Sequence, residues 1–146
     1  MPRGFTLVEL VVVMVVAGIL AAIALPRMFD TLEFDTHGFY DQTVAAVRHA
    51  RRVAIASRRD VFVCVSGSAV SVAAASDCSG VLPEPSSGEP MSYAAKPGIA
   101  LSPAATIRFD ALGSPSGAAF PLAVSIASSA ASRGFTIEPA TGYVHE

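Results

Sequence analysis

The sequence predicts an α+β fold in which a long N-terminal helix packs on antiparallel β-sheet. Three observations predict it: an apolar run over residues 5–25, a helical period over residues 39–59, and short alternating segments afterwards, separated by Gly, Pro and Ser. The 146 residues are 52% hydrophobic with a net charge of -2, and the apolar surplus is concentrated at the start. The roughly 115 residues after Phe29 suffice for one modest core and not for two. Neither a basic tail nor an acidic block is present to announce a polyanionic or polycationic partner.

The first element is uncharged from residue 10 to residue 25, and counted from Phe5 the run reaches twenty-one residues. That length crosses a ~30 Å hydrocarbon layer as a helix. A cleaved secretory signal is the alternative, with Ala22-Ile23-Ala24 as its small-residue site. It leaves Glu9 unexplained, although an acid placed in the bilayer costs roughly 2.5–3.5 kcal/mol on insertion scales. Gly18 lowers helix propensity and Pro26 removes a backbone hydrogen bond, so a kink or an end is expected there.

Asp30, Asp35, Thr36 and Gly38 predict an interruption between this run and the next helix. Over 39–59 the period returns. Phe39, Ala46, Ala50, Val53 and Ala54 share one face, and Arg48, Arg51, Arg52, Arg58 and Arg59 occupy another. The strand candidates are "DVFVCV" and "AVSVAAA" on either side of Ser66-Gly67-Ser68, then "ATIRFDALG", "AFPLAVSIAS" and "GFTIEPATGYVHE", the last turning near Ala140-Thr141-Gly142. Between them, residues 76–98 lack any period and predict a long surface loop.

Cys64 and Cys78 have no neighbouring Cys or His that would complete a zinc site. They predict a disulfide wherever the domain lies outside the cytosol. His37, His49 and His145 are scattered, and no serine-nucleophile elbow, phosphate loop or metalloprotease helix is present. Asp41, Asp60 and Asp110 lack calcium-loop spacing. These absences set the enzyme class aside, and neither a cofactor nor a metal is expected.

Arg3-Gly4-Phe5-Thr6-Leu7-Val8-Glu9 resembles the class III signal of type IV pilins and pseudopilins. The resemblance implies cleavage by prepilin peptidase between Gly4 and Phe5, N-methylation of Phe5, and retention of the apolar helix. It implies that Glu9 pairs with the new amine of a neighbouring subunit and so directs assembly. It also implies that the chain between Gly18 and Pro26 unwinds in the fibre.

The chain from "RRVAIASRRDVFVCV" to "FTIEPATGYVHE" resembles the GspH/FimT-type minor pilin domain, with MSHA-type minor pilins the nearest kind. A leader over 1–4, a transmembrane and assembly helix over 5–25, the periplasmic half of the helix over 26–59 and a β-rich pilin-like domain over 60–146 follow from that likeness. So does a place in the inner membrane of a Gram-negative bacterium, with a periplasmic domain, before entry into a pilus or secretion pseudopilus alongside other pilins.

Arg48, Arg51, Arg52 and Arg59 then suggest either a DNA contact or a contact with a neighbouring subunit. Residues 28–146 hold 8 basic and 11 acidic side chains, 8 - 11 = -3. Relatives that bind DNA are credited with an arginine-bearing C-terminal motif, whereas residues 142–146 here read Gly-Tyr-Val-His-Glu. Both facts favour the subunit contact and a solvated arginine face.

Overall fold

The computed structural model describes residues 6–24 and 31–146. Their contacts gather into two compact units, one ending at Thr31 and one spanning Leu32–Glu146. In the first, α1 is a helix over Leu7–Ala24. Thr6 starts it by accepting the Glu9 amide on Oγ1 at 3.3 Å and the Leu10 amide on its carbonyl at 3.2 Å. N-caps satisfy orphan helix amides in this way.

Leu7, Val8, Leu10, Val13 and Val16, which at 100° per residue point in different directions all round α1, are all exposed. A helix apolar on every side has no single core-facing stripe and has to be covered by lipid or by other helices. The 18 residues of α1 rise about 27 Å at 1.5 Å each, short of a ~30 Å layer. Among the described residues no helix is long and apolar enough to cross a membrane. The span expected over 5–25 is therefore not complete there, and Phe5 and Leu25, which would extend it, lie outside the described residues.

The second helix, α2 (Thr31–Ser57), corrects the interruption expected at Asp35, Thr36 and Gly38, since it runs unbroken through all three, while Asp30 lies outside the described residues. The Thr36 and Thr43 hydroxyls donate to the Leu32 and Phe39 carbonyls at 2.7 and 2.8 Å, which satisfies them without breaking the helix. Gly38 is exposed, and a Cβ there would meet nothing within 4 Å outside its own helix backbone. Its local cost is about 1 kcal/mol, whereas fully burying a large apolar side chain contributes about 1.5–3 kcal/mol. Phe39, Tyr40, Val44 and Val47 are all buried, so packing outweighs propensity. Of the predicted apolar face Phe39, Ala46, Ala50 and Ala54 are buried and Val53 partly so. The helix ends at Ser57 rather than at residue 59, because Arg58 turns left-handed (φ 51°) and the Arg59 amide reaches back to the Ala54 carbonyl at 3.3 Å.

Nine strands follow: β1 (Val61–Val65), β2 (Ala69–Ala73), β3 (Ser92–Ala94), β4 (Ala100–Ser102), β5 (Ala105–Phe109), β6 (Pro115–Ser116), β7 (Leu122–Ala127), β8 (Ser132–Ile137) and β9 (Val144–His145). They form two antiparallel sheets, β3-β2-β1-β5-β6 and β4-β7-β8-β9. Alternate residues point inward, as the period of two requires. Val63 lies opposite Ile107 and Val72, Val124 opposite Phe135, and Ile137 opposite Val144, all in one core with α2.

The five predicted strand segments are present, but β3, β4 and β6 were not expected. Each is two or three residues long and at a sheet edge, too short to show alternation. The 76–98 loop is also less free than its composition suggests, since it contains β3 and the bridges Ala73–Val81 and Pro83–Pro90. Cys64 on β1 and Cys78 form a disulfide. Closing a loop of this length stabilises a domain by about 3 kcal/mol in the chain-entropy model.

Candidate functional site

Arg48, Arg51 and Arg52 stand at i, i+3 and i+4, so one turn of α2 presents all three side by side. Together with Gly142, Tyr143 and Val144 they line a groove of about 280 Å³. Arg48 Nη2 donates to the Val144 carbonyl at 3.3 Å, tying the helix to β9.

The wall opposite the helix is set by two turns. In the first, Gly142 and Tyr143 close on Glu138: the Gly142 amide donates to the Glu138 carbonyl at 3.0 Å and the Glu138 amide to the Tyr143 carbonyl at 2.9 Å. The pairs His145–Glu138 (2.8 Å) and Arg133–Glu146 (3.6 Å) hold the same segment. They are surface pairs, each contributing roughly 0–1 kcal/mol. The backbone register therefore does most of the positioning.

In the second turn Asp110 Oδ1 accepts the Leu112 and Ser114 amides at 2.8 and 2.9 Å. The Ser114 bond first, then the Leu112 bond, holds the Asp110 carboxyl below the usual range.

Glycine is needed where the two turns meet the helix. Gly113 has φ 81°, and a Cβ there would come 2.7 Å from Ile55 Cδ1 and 3.2 Å from Arg51 Nε. Gly142 has φ 62°, and a Cβ there would come 2.6 Å from the Gly113 carbonyl oxygen and 2.9 Å from Phe109 Cε1. Both close on the Arg51 stem, whose Nε is buried and has no hydrogen-bond partner among the described residues.

The expected solvated face holds for Arg48, Arg52, Arg58 and Arg59, which are exposed, and is corrected at Arg51, which is half-buried and boxed in. Among the described residues no carboxylate lies within 4.0 Å of Arg48, Arg51 or Arg52, and the ion pairs present are Glu33–His37, Asp35–Lys96, Asp60–Arg108, Glu138–His145 and Glu146–Arg133.

Arg52 also borders a second cavity of about 280 Å³ that includes His49, Glu84, Met91 and Tyr93. The Tyr93 hydroxyl donates to Glu84 Oε1 at 3.1 Å. Burial, and next the Arg52 charge, push the His49 pKa down, with Glu84 opposing. Unfolding restores the ordinary value near 6.5, so the unfolded chain binds the proton first. Neutral His49 supports the fold above that pH, and its contribution is lost as the pH falls below it. Replacing Arg52 with Gln is expected to raise the His49 pKa, read from the imidazole resonances in an NMR titration. An unchanged midpoint would assign the shift to burial alone.

The remaining predicted residues are dispersed. Arg58 and Arg59 are exposed beyond the helix end and do not line the groove. Glu9 is in the first turn of α1 and Gly18 is within it, with nothing packed against Gly18. Gly4, Phe5 and Pro26 lie outside the described residues. Asp110, Gly113, Gly142 and Tyr143 were missed as site residues. "DALG" and "PATG" signal turns, but nothing local says that the turns meet a helix.

Two family models match the chain. One, the prokaryotic N-terminal methylation motif, matches residues 2–25, and the other, type II transport protein GspH, matches residues 41–141. The type IV narrow pilus major component PilA5 of Thermus thermophilus is 42% identical over 62 residues, which cover 42% of this chain and 53% of that protein. The match thus spans about half the length of that relative. Among solved structures, the type IV minor pilin FimU of Pseudomonas aeruginosa is similar in two crystal forms. One aligns at 17% identity and TM-score 0.49 over 72% of this chain and 82% of that one. The other aligns at 18% and 0.48, over 72% and 86%. With the GspH model covering more than half of its residues and the methylation motif preceding it, the chain belongs to the GspH family of the type IV pilin and pseudopilin superfamily.

Proposed function

We propose that the chain is a minor pilin or pseudopilin that is cut by prepilin peptidase between Gly4 and Phe5, waits in the inner membrane, and enters a filament whose assembly it initiates or modifies. The observation that carries this reading is α1, apolar on every side, exposed from Leu7 to Leu20 and carrying a single acid, Glu9, in its first turn. Such a helix needs cover that the rest of the chain does not have to supply, and neighbouring helices in a fibre provide it. The Glu9 carboxylate would meet the methylated amine of Phe5 on the next subunit, while Gly18 and Pro26 let the helix yield. The methylation motif over residues 2–25 supports the processing step.

Deleting the gene and counting filaments by electron microscopy tests the assembly role. Loss of most fibres, restored by the gene in trans, is expected. Intact fibres with lost DNA uptake or adhesion would favour a second reading, a ligand-binding subunit at the tip, which the arginine-lined groove supports.

A further inference from the structure

We propose that the groove formed by Arg48, Arg51, Arg52 and the Gly142–Val144 segment is a carboxylate-binding socket that takes an acidic peptide segment of a neighbouring subunit. The inference deepens the subunit reading and rests on it. Three guanidinium groups share one turn of helix, and no acid of the described chain lies within 4.0 Å of them, while Asp35, Asp60 and Glu146 are paired with Lys96, Arg108 and Arg133 and Glu33 and Glu138 contact histidines. Like charges held this close repel until an anion enters between them.

The socket is also built rather than incidental. Arg48 is fixed by the Val144 carbonyl, and the Arg51 stem is fixed by the close approach of Gly113 and Gly142. The Arg51 Nε–H, buried without an acceptor, is a donor whose desolvation is uncompensated in the isolated chain. Guanidinium groups held in fixed geometry suit carboxylates, because planar forks match planar two-oxygen acceptors. Arginine clusters commonly recognise acidic motifs on this basis.

The chemistry of the surroundings separates a peptide from a nucleic acid. The basic side chains stand on one wall only, facing backbone and the Tyr143 ring, in about 280 Å³. On the far side of Arg52 the next cavity includes Glu84, so a phosphodiester chain leaving the groove that way runs into an acid. Residues 28–146 are net acidic as well, 8 - 11 = -3, which repels a long polyanion and tolerates a short one. A segment with one or two carboxylates beside an apolar residue fits, its apolar part against the exposed Tyr143.

The test uses the full chain in detergent with two probes of equal charge, an acetylated and amidated peptide bearing six acidic residues and a single-stranded heptathymidylate with six phosphates. Arg52 makes no hydrogen bond or ion pair among the described residues, so its replacement spares the fold. Arg52→Gln is expected to weaken peptide binding on the order of tenfold at low salt, with Arg52→Lys retaining part of it. Peptide affinity unchanged in Arg52→Gln, or oligonucleotide binding tenfold tighter than peptide binding, would overturn the proposal. In parallel, sheared filaments are probed for the chain. Its absence there would overturn the subunit reading and the partner with it, whereas its presence with no peptide effect removes the socket alone.

Discussion

A Glu9→Val chain is expected to insert and to be processed normally, yet to be depleted at least about a hundredfold from sheared filaments. The magnitude follows from leaving one member of a poorly solvated ion pair alone, which costs about 3–5 kcal/mol, at 1.4 kcal/mol per factor of ten. In the variant the stranded group is the Phe5 amine of the neighbour. Glu9 also has a local role, because it occupies the first turn of α1, where an acid meets the positive end of the helix dipole. That local effect contributes about 0.3–1 kcal/mol, too little to exclude a subunit. Glu9→Gln separates the two effects: it keeps the shape and removes the charge, so it is expected to behave like Val in filaments while leaving the level of membrane-inserted chain unchanged. Quantitative blotting of membrane and filament fractions reads both, and incorporation of Glu9→Val at the wild-type level would sink the assembly role of the charge.

The second large effect is expected at Gly142. A Cβ in place of its hydrogen would sit 2.6 Å from the Gly113 carbonyl oxygen and 2.9 Å from Phe109 Cε1, at φ 62°. The first obstacle is backbone and the second is a ring of the core, so neither gives way cheaply. Left-handed strain of about 1–2 kcal/mol adds to overpacking of about 1–3 kcal/mol. Gly142→Ala is therefore expected to lose about 2–5 kcal/mol, a fall in Tm on the order of 10 °C or more, followed by near-ultraviolet circular dichroism of the full chain. A Tm within about 2 °C of the parent would mean that the two turns separate freely and that the groove is not a fixed structure.

How much of this was legible depended on the range of the interaction that decides each feature. The α1 segment and Glu9 could be read directly, because an apolar helix with one acid is a property of consecutive residues. So could β1 and β2, where Val61, Val63, Val65, Val70 and Val72 alternate with more exposed neighbours. The interruption expected at Asp35 and Gly38 failed because propensity is a local quantity of about 1 kcal/mol, while Phe39, Tyr40 and Val47 are buried by strands far along the chain. The strands β3, β4 and β6 carry no pattern and exist because a longer neighbour offers an edge.

The arginines were visible as a row, but not their groove. Its other wall is made by Gly142, Tyr143 and Val144, and only the fold brings that segment, with the Gly113 turn behind it, against Arg51. The disulfide lies between these cases. Cys64 and Cys78 could be paired by elimination and placed in the first strand and the 76–98 loop, but the strand β3 and the two bridges that also hold that loop could not be read.

The central claim is that α1 stays on the mature chain and carries it into a filament. Mass spectrometry of the sheared filament fraction tests it directly, by reading the N-terminal peptide of this chain. The expected result is a chain beginning at N-methylated Phe5 and co-purifying with the fibres. A chain recovered only outside the fibres, or one that begins after Ala24 with the apolar helix removed, would contradict it.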